Sequence, residues 1–322
     1  MPISRKQDLV NTSVATPRTY TVSEPHLRFW QRPTWRRRVV PWLFVLPILV
    51  INLSVVLGPA LAAIYYSMTE WTGIGSAEWI GLENYRALLF DDPSFWHAFR
   101  NNLIWLAMFL TVPIALALVA ASLLAPLRRG ALLYRMGLFL PYVLPSVVVA
   151  AIWRSLLHPD RGIPAVLTDW GVPGFDKALL GDKGTVLPTI AFVDNWHFWG
   201  FLMVLFLASM QNIGPELYEA ARLDGASKWQ EFRDITIPGI RPTLVFMILM
   251  TSIWSFLTFD YIWVLTQGGP AGASEVLSVL VFKHAFMNLQ AGYASAIGLS
   301  MSFFVGIVIA IFIVLRRRGW EI

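Results

Sequence analysis

Residues 216–242 read ELYEAARLDGASKWQEFRDITIPGIRP. The stretch is too long for a simple turn and too patterned for a disordered loop. Pro215, just before it, suits the first turn of a helix. Leu217, Ala220 and Ala221 stand at i, i+3 and i+4, so they share a small apolar face that lets a partner approach closely. Gly225 fits the left-handed residue that stops a helix. Ser227, with Gln230 three residues on, makes a capping box for a second helix. Trp229 and Phe232 are three apart on one face of that helix, and Pro238 and Pro242 end it. The pattern predicts a helix–turn–helix with an exposed apolar face, the usual seat of a protein partner. By itself it also fits an amphipathic hairpin lying on a membrane surface.

On both sides of this stretch the sequence is strongly apolar. Of 322 residues, 56 % are hydrophobic and only 14 % charged, where a soluble domain carries about 25 % charged residues. Fifteen Trp and 21 Phe suit a membrane protein with interfacial aromatics. A bilayer crossing needs about 20 mostly apolar residues. Stretches nearly free of charge run over 39–69, 101–127, 136–153, 184–215, 242–274 and 285–315. The third is short, and the fourth and fifth are interrupted by Asp194 and Asp260. Six transmembrane helices follow: an all-α polytopic membrane protein. The first span starts too late and runs too long for a cleaved signal peptide.

Lys and Arg set the orientation. Eighteen fall in residues 1–38, the 126–135 loop, the 216–241 loop and the tail; seven fall on the other side. Both termini are therefore expected in the cytoplasm, and the basic runs read as topology anchors in preference to a nucleic-acid patch. The outer loops are acidic, with Glu70, Glu78, Glu83, Asp91 and Asp92 in the first and Asp160, Asp169, Asp176 and Asp182 in the second. Residues 1–38 read as a cytoplasmic arm, 39–318 as the transmembrane domain with the 215–242 loop inside it, and 319–322 as a cytoplasmic tail.

Several chemistries are excluded. The absence of Cys rules out disulfides, Cys-ligated zinc, iron–sulfur clusters and thiol catalysis. Five scattered His without an HExxH spacing make no metal site. There is no GxxxxGK[ST] phosphate loop, paired carboxylate or nucleophile elbow.

Glu219-Ala220-Ala221, Asp224-Gly225-Ala226, Ile235 and Ile237-Pro238 resemble the EAA loop of ABC importer permeases, with its spacing intact. Other segments resemble the carbohydrate members of that family. They are Gly81-Leu82-Glu83-Asn84-Tyr85 ("GLxNY"), residues 141–146 ("PYxxPS"), and Phe259-Asp260-Tyr261 followed by residues 265–270 ("FDxI…LTxGGP"). The last points to the maltose and glycerol-phosphate permease type, in its larger-subunit form. The resemblance covers residues 40–318. It implies the six-helix type I importer permease fold in a bacterial or archaeal cytoplasmic membrane. It further implies a second homologous permease, two ATP-binding subunits and an extracytoplasmic binding protein. The chain itself would be no enzyme and hold no cofactor, with ATP and magnesium on the partner ATPase. Glu219, Ala220, Ala221, Asp224 and Gly225 are then the ATPase-coupling residues.

For the substrate, Thr251, Ser255 and Thr258 lie within about 60° of one another on a regular helix, flanked by Trp254 and Tyr261. Hydroxyls beside aromatic planes suit an uncharged sugar; small-residue helix packing is an equal account of the pattern. The resemblance adds Tyr142 and Ser146 of the "PYxxPS" segment and His197, Phe198 and Phe201 of the fourth span. Phe198 stands where disaccharide permeases of the resembled type have Gly, and Ser and Thr replace their fifth-helix Asn residues, so the same substrate is not implied. His197 reads equally as a ligand contact or an interfacial residue. Asp260 stands nine residues after Thr251, hence on the opposite face of a regular helix, and about 27 Å from Pro242; it reads as a structural contact. The rival to an ATP-driven importer is an ion-gradient-driven secondary transporter, which is expected to place carboxylates mid-membrane on a cavity face and to show internal repeats; neither is evident in the sequence, and the EAA-like loop would go unexplained.

Overall fold

The computed structural model describes residues 33–127, 129–175 and 177–317. The expectations placed on residues 1–32, Arg128, Asp176, residues 318–322 and the side chains of Arg36, Arg37 and Arg38 lie outside the described residues. The chain divides into two units, residues 1–59 and 60–322.

The first apolar helix is α1 (Val40–Tyr66), and the boundary between the units falls within it. In the first unit its large side chains, Phe44 and Ile48 among them, are exposed, as suits a helix whose solvent is lipid.

The second unit is helical apart from one small hairpin, β1 (Thr69–Glu70) paired antiparallel with β2 (Glu78–Trp79). The "GLxNY" segment holds this hairpin. Buried Asn84 donates from Nδ2 to the carbonyls of Ser67 and Thr69, both at 2.9 Å, and the Tyr85 hydroxyl donates to Ser67 Oγ at 2.8 Å. The core lies between α2 (Pro93–Leu124) and the fourth span, α5 (Val186–Met210). Trp105, Phe109, Ile114, Ala117 and Ala121 meet Ile190, Phe198, Leu202 and Phe206 there. Ala117 and Ala121, one turn apart, leave room for close backbone approach. Before α5 come α3 (Ala131–Val143) and α4 (Ser146–Leu156). Gly200 lets α3 lie directly on α5, since a Cβ there would stand 2.0 Å from the Leu138 carbonyl oxygen. After α5 come the hairpin helices α6 (Pro215–Leu223) and α7 (Lys228–Glu231), then α8 (Arg241–Leu257), α9 (Asp260–Leu265), α10 (Leu277–Phe282) and α11 (Ala291–Arg317).

Among the described residues, five helices are long and apolar enough to cross a membrane, and six if α3 and α4 count as one span. The expected third span, 136–153, is thus not straight: α3 and α4 meet at 94°. Leu144 and Pro145 are both extended, with ψ of 142° and 135°. The residue before a proline is pushed out of the helical region by the ring, so the bend is local chemistry.

The fifth span is broken as well. Regular helix stops at Leu257, and Thr258 (φ −58°, ψ 130°) and Phe259 (φ −142°, ψ −55°) are not helical. A break leaves carbonyls without their i+4 amides, which is costly in an apolar surrounding unless side chains supply donors. They do so here. Asn102 Nδ2 donates to Ser255 O at 3.0 Å, and Ser278 Oγ donates to Thr258 O. Asn102 Oδ1 also accepts from the Leu277 amide at 2.8 Å, tying α8 and α10 to α2.

Candidate functional site

The helix–turn–helix forms as its sequence predicts, with one difference. The Ala226 amide donates to Ala221 O at 2.9 Å and the Gly225 amide to Arg222 O at 3.1 Å, the paired bonds of a left-handed C-terminal stop. Gly225 has φ +79°, and a Cβ there would meet nothing within 4 Å; its requirement is conformational, not steric. Ser227 caps α7, with Gln230 Oε1 accepting from the Ser227 amide at 2.7 Å. The difference is at Pro238, which does not end the second helix. A wide turn (Phe232–Thr236) leads into a further helical turn (Ile237–Gly239), whose second residue is Pro238. Proline costs nothing there, because amides of a first helical turn have no intrahelical acceptor.

Two contacts fasten the hairpin. Arg222 Nε donates to Glu231 Oε1 at 3.0 Å, joined by Lys228 Nζ at 3.0 Å from Oε2. The Tyr218 and Thr236 hydroxyls are 3.0 Å apart. The Arg222 hydrogen bond, with Lys228 adding, holds the Glu231 carboxyl below the usual carboxylate range. Leu217, Trp229 and Leu223 are exposed, Leu223 at 90 %. Glu219, Ala220, Asp224 and Gly225 are exposed and Ala221 half-buried. Leu223 had no place in the i, i+3, i+4 pattern and was missed, although an apolar residue at a helix end beside a glycine stop is itself a signal.

Within the second unit a cavity of about 320 Å³ opens at the break in the fifth span. Of the ten residues expected at a substrate site it gathers eight: Tyr142, His197, Phe198, Thr251, Trp254, Ser255, Thr258 and Tyr261. Phe201 lies outside the lining, stacked on Tyr142 with ring centroids 4.5 Å apart. Ser146 is also outside it, and reaches the cavity through Asp260, to which its hydroxyl donates at 2.5 Å. Phe198 and Trp254 meet edge to face at 5.7 Å, and His197 lies 5.5 Å from Tyr142 and 5.9 Å from Tyr261. His197 Nε2 is 3.0 Å from Leu144 O, so that nitrogen carries a proton and donates to the carbonyl.

The hydroxyl row differs from the expected stripe. Ser255 Oγ donates to Thr251 O at 2.7 Å, so its proton is spent on its own helix. Thr258 lies in the break, off the regular helix. Buried Thr251 Oγ1 and Tyr261 OH have no hydrogen-bond partner among the described residues. The face expected of Asp260 is corrected too: the break turns it, and it lines the cavity with Asp194 instead of facing away, while it also makes a structural contact, with Ser146. Two carboxylates therefore stand on a cavity face, where the sequence made none evident. Sequence reasoning missed Trp105, Phe109 and Asp194 as lining residues. Trp105 and Phe109 sit in an apolar helix and carry no signal. Asp194 did carry one, since an ionisable residue within a span is by default a site candidate. Among the described residues no group of three or more His, Asp or Glu could hold a metal ion.

Residues 113–318 match the family model described as binding-protein-dependent transport system inner membrane component. The probable ABC transporter permease protein YurN of Bacillus subtilis is 35 % identical over 81 % of this chain and 90 % of its own. The diacetylchitobiose uptake system permease protein NgcF of Streptomyces coelicolor is 34 % identical over 82 % of this chain and 78 % of its own. Among solved structures, a bacterial alginate ABC transporter in complex with an alginate pentasaccharide-bound periplasmic protein superposes with a TM-score of 0.79. It is 21 % identical, over 92 % of this chain and 99 % of that one. The chain therefore belongs to the inner membrane components of binding-protein-dependent transport systems, and is a multi-pass ABC importer permease of the cytoplasmic membrane.

Proposed function

We propose that this permease moves a di- or oligosaccharide, delivered by an extracytoplasmic binding protein, through the cavity at the broken fifth span. It works beside a second homologous permease and is driven by two separate ATP-binding subunits that carry the ATP and magnesium. The domain plan is an arm at 1–38, six spans within 39–318 with both termini cytoplasmic, the coupling loop at 215–242, and a short tail at 319–322. Eighteen basic residues against seven support that orientation.

The observation that carries this reading is the hairpin. It is fastened internally by Arg222–Glu231 and Tyr218–Thr236, yet leaves Leu217, Leu223 and Trp229 bare. A rigid polar-backed element with an uncovered apolar face is a handle for another protein. Closing of the ATPase dimer would move that handle and switch the cavity between inward and outward access. Glu219, Ala220, Ala221, Asp224 and Gly225 form its contact surface and its turn. In the cavity, aromatic planes and free hydroxyls offer stacking and hydrogen bonds to a sugar's ring faces and hydroxyls.

Purification of the complex in mild detergent, with identification of the co-purifying subunits, tests this. ATP-binding subunits and a second permease should co-purify, and uptake should stop on ATP depletion. Uptake that survives ATP depletion and collapses with the ion gradient would replace it with a gradient-driven transporter.

A further inference from the structure

A second cavity, of about 270 Å³, shares no lining residue with the first, and Leu157, Leu180 and Leu265 form much of its wall. Leu157 follows α4, Leu180 precedes α5 and Leu265 ends α9. With α3 and α4 taken as one span, the third span ends, the fourth begins and the fifth ends on the same side of a membrane. The cavity therefore stands where helix ends meet lipid headgroups. Trp153, near the end of α4, packs edge-to-face on Phe192 and Trp196 of α5, with ring centroids 5.4 and 5.5 Å away. Such aromatic side chains are the usual marker of a membrane–water boundary.

Arg154 is the permanently charged residue of this lining, and no Asp or Glu is among the lining residues. Arg154 Nη1 donates to Val264 O at 3.5 Å. That is a long bond, so most of the five guanidinium donors are unspent. His158 also lines the cavity, and its Nε2 lies 3.3 Å from Arg161 Nη2, which sets a second guanidinium at the rim. Among the described residues neither Arg154 nor Arg161 has a carboxylate within ion-pair distance. Asp160 approaches only His158, at 4.0 Å, and its side chain is 84 % exposed. Two guanidiniums without a carboxylate, set over leucines, suit a ligand that is anionic at one end and apolar at the other. The guanidinium fork matches phosphate oxygens. A free ion would gain nothing from the leucines, and the cation of a choline headgroup would find no carboxylate in the lining.

We infer that this cavity binds the headgroup of an anionic phospholipid. Its phosphate sits on Arg154 and Arg161, and its glycerol and first methylenes lie on Leu157, Leu180 and Leu265. The site joins α4 to α9, whose first residues, Ser146 and Asp260, are bonded to each other beside the transport cavity. The lipid thus braces the same helix pair at its other end. The assignment is independent of the transported substrate.

The test uses the intact importer complex in mild detergent, as wild type, Arg154→Gln and Arg161→Gln, with phosphatidylglycerol, phosphatidylcholine or inorganic phosphate added. Native mass spectrometry counts the retained lipid, and the melting temperature reads its binding to the folded state. The wild type should retain phosphatidylglycerol over phosphatidylcholine, and phosphatidylglycerol alone of the three should raise its melting temperature. Arg154→Gln should lower phosphatidylglycerol retention about fivefold and remove most of that rise. Arg161→Gln should do the same to a smaller degree, and keeps the idea testable if Arg154→Gln fails to fold. Unchanged retention in both variants overturns the site. Equal retention of phosphatidylcholine, or an equal rise with inorganic phosphate, overturns an anionic phospholipid as its ligand. Normal lipid retention in variants that dock the extracytoplasmic binding protein more weakly also overturns it, and makes the cavity a contact for an acidic protein side chain.

Discussion

The coupling hairpin and the cavity are built on opposite principles. Each bond that shapes the hairpin joins residues of one short stretch: Ala226 to Ala221, Ser227 to Gln230, Arg222 to Glu231, Tyr218 to Thr236. The cavity draws on residues from Trp105 to Tyr261, and its defining break is held open by Asn102 and Ser278 from two other helices. A local device can be damaged without unfolding the protein. A device made of long-range contacts shares its bonds with the fold.

The sharpest way to break that comparison is to disable the hairpin alone. Gly225→Pro or Ala221→Asp should abolish uptake and release the ATP-binding subunits, a loss of roughly a hundredfold or more in docking. The purified permease should melt at its wild-type temperature. A matching drop in melting temperature would show that the hairpin is not independent. Asn102→Ala is the converse. It leaves the Ser255 carbonyl and the Leu277 amide unpaired in the interior, at about 2 kcal/mol each. It should lower the melting temperature by several degrees while the ATP-binding subunits still co-purify. Thr251→Val sharpens the cavity side. It removes a free hydroxyl with little change of volume, so sugar affinity should fall about tenfold with stability unchanged. An unaltered affinity would return Thr251 to a packing role.

The smallest effect concerns Glu231. Its carboxyl is held below the usual range by Arg222, so the folded hairpin favours its charged form. That contribution is complete above the ordinary carboxylate value of about 4.3 and is lost as pH falls through the lowered folded value. Hydrogen exchange over residues 215–239 should therefore be insensitive to the Glu231 charge near neutrality. Once intrinsic exchange is corrected for, it should rise in acid. Glu231→Gln should show the looser hairpin at all pH values, with a few-fold loss of coupling at most, as suits an ion pair whose cations are largely exposed.

How much could be read without coordinates follows the same division. The glycine stop at Gly225 and the Ser227 box were legible because helix stops and caps are set within about four residues. The spans were legible because a bilayer demands length and apolarity from each helix separately. The bend at Pro145 was open to the same logic through the residue before a proline. The break at Thr258 was not. Residues 251–261 continue a helical pattern without proline or glycine, and the helix yields there only because Asn102 and Ser278 take over its carbonyls. Asp260 was placed on the wrong face for that reason alone.

The sequence by itself determined that the chain is a set of apolar helices with one projecting polar hairpin, because capping, periodicity and hydropathy act over neighbouring residues. Only the tertiary structure decided where the fifth span opens, which hydroxyls stay free and which carboxylates face the cavity. Those outcomes depend on donors supplied from more than a hundred residues away along the chain, as between Asn102 and Ser255, and no local pattern records them.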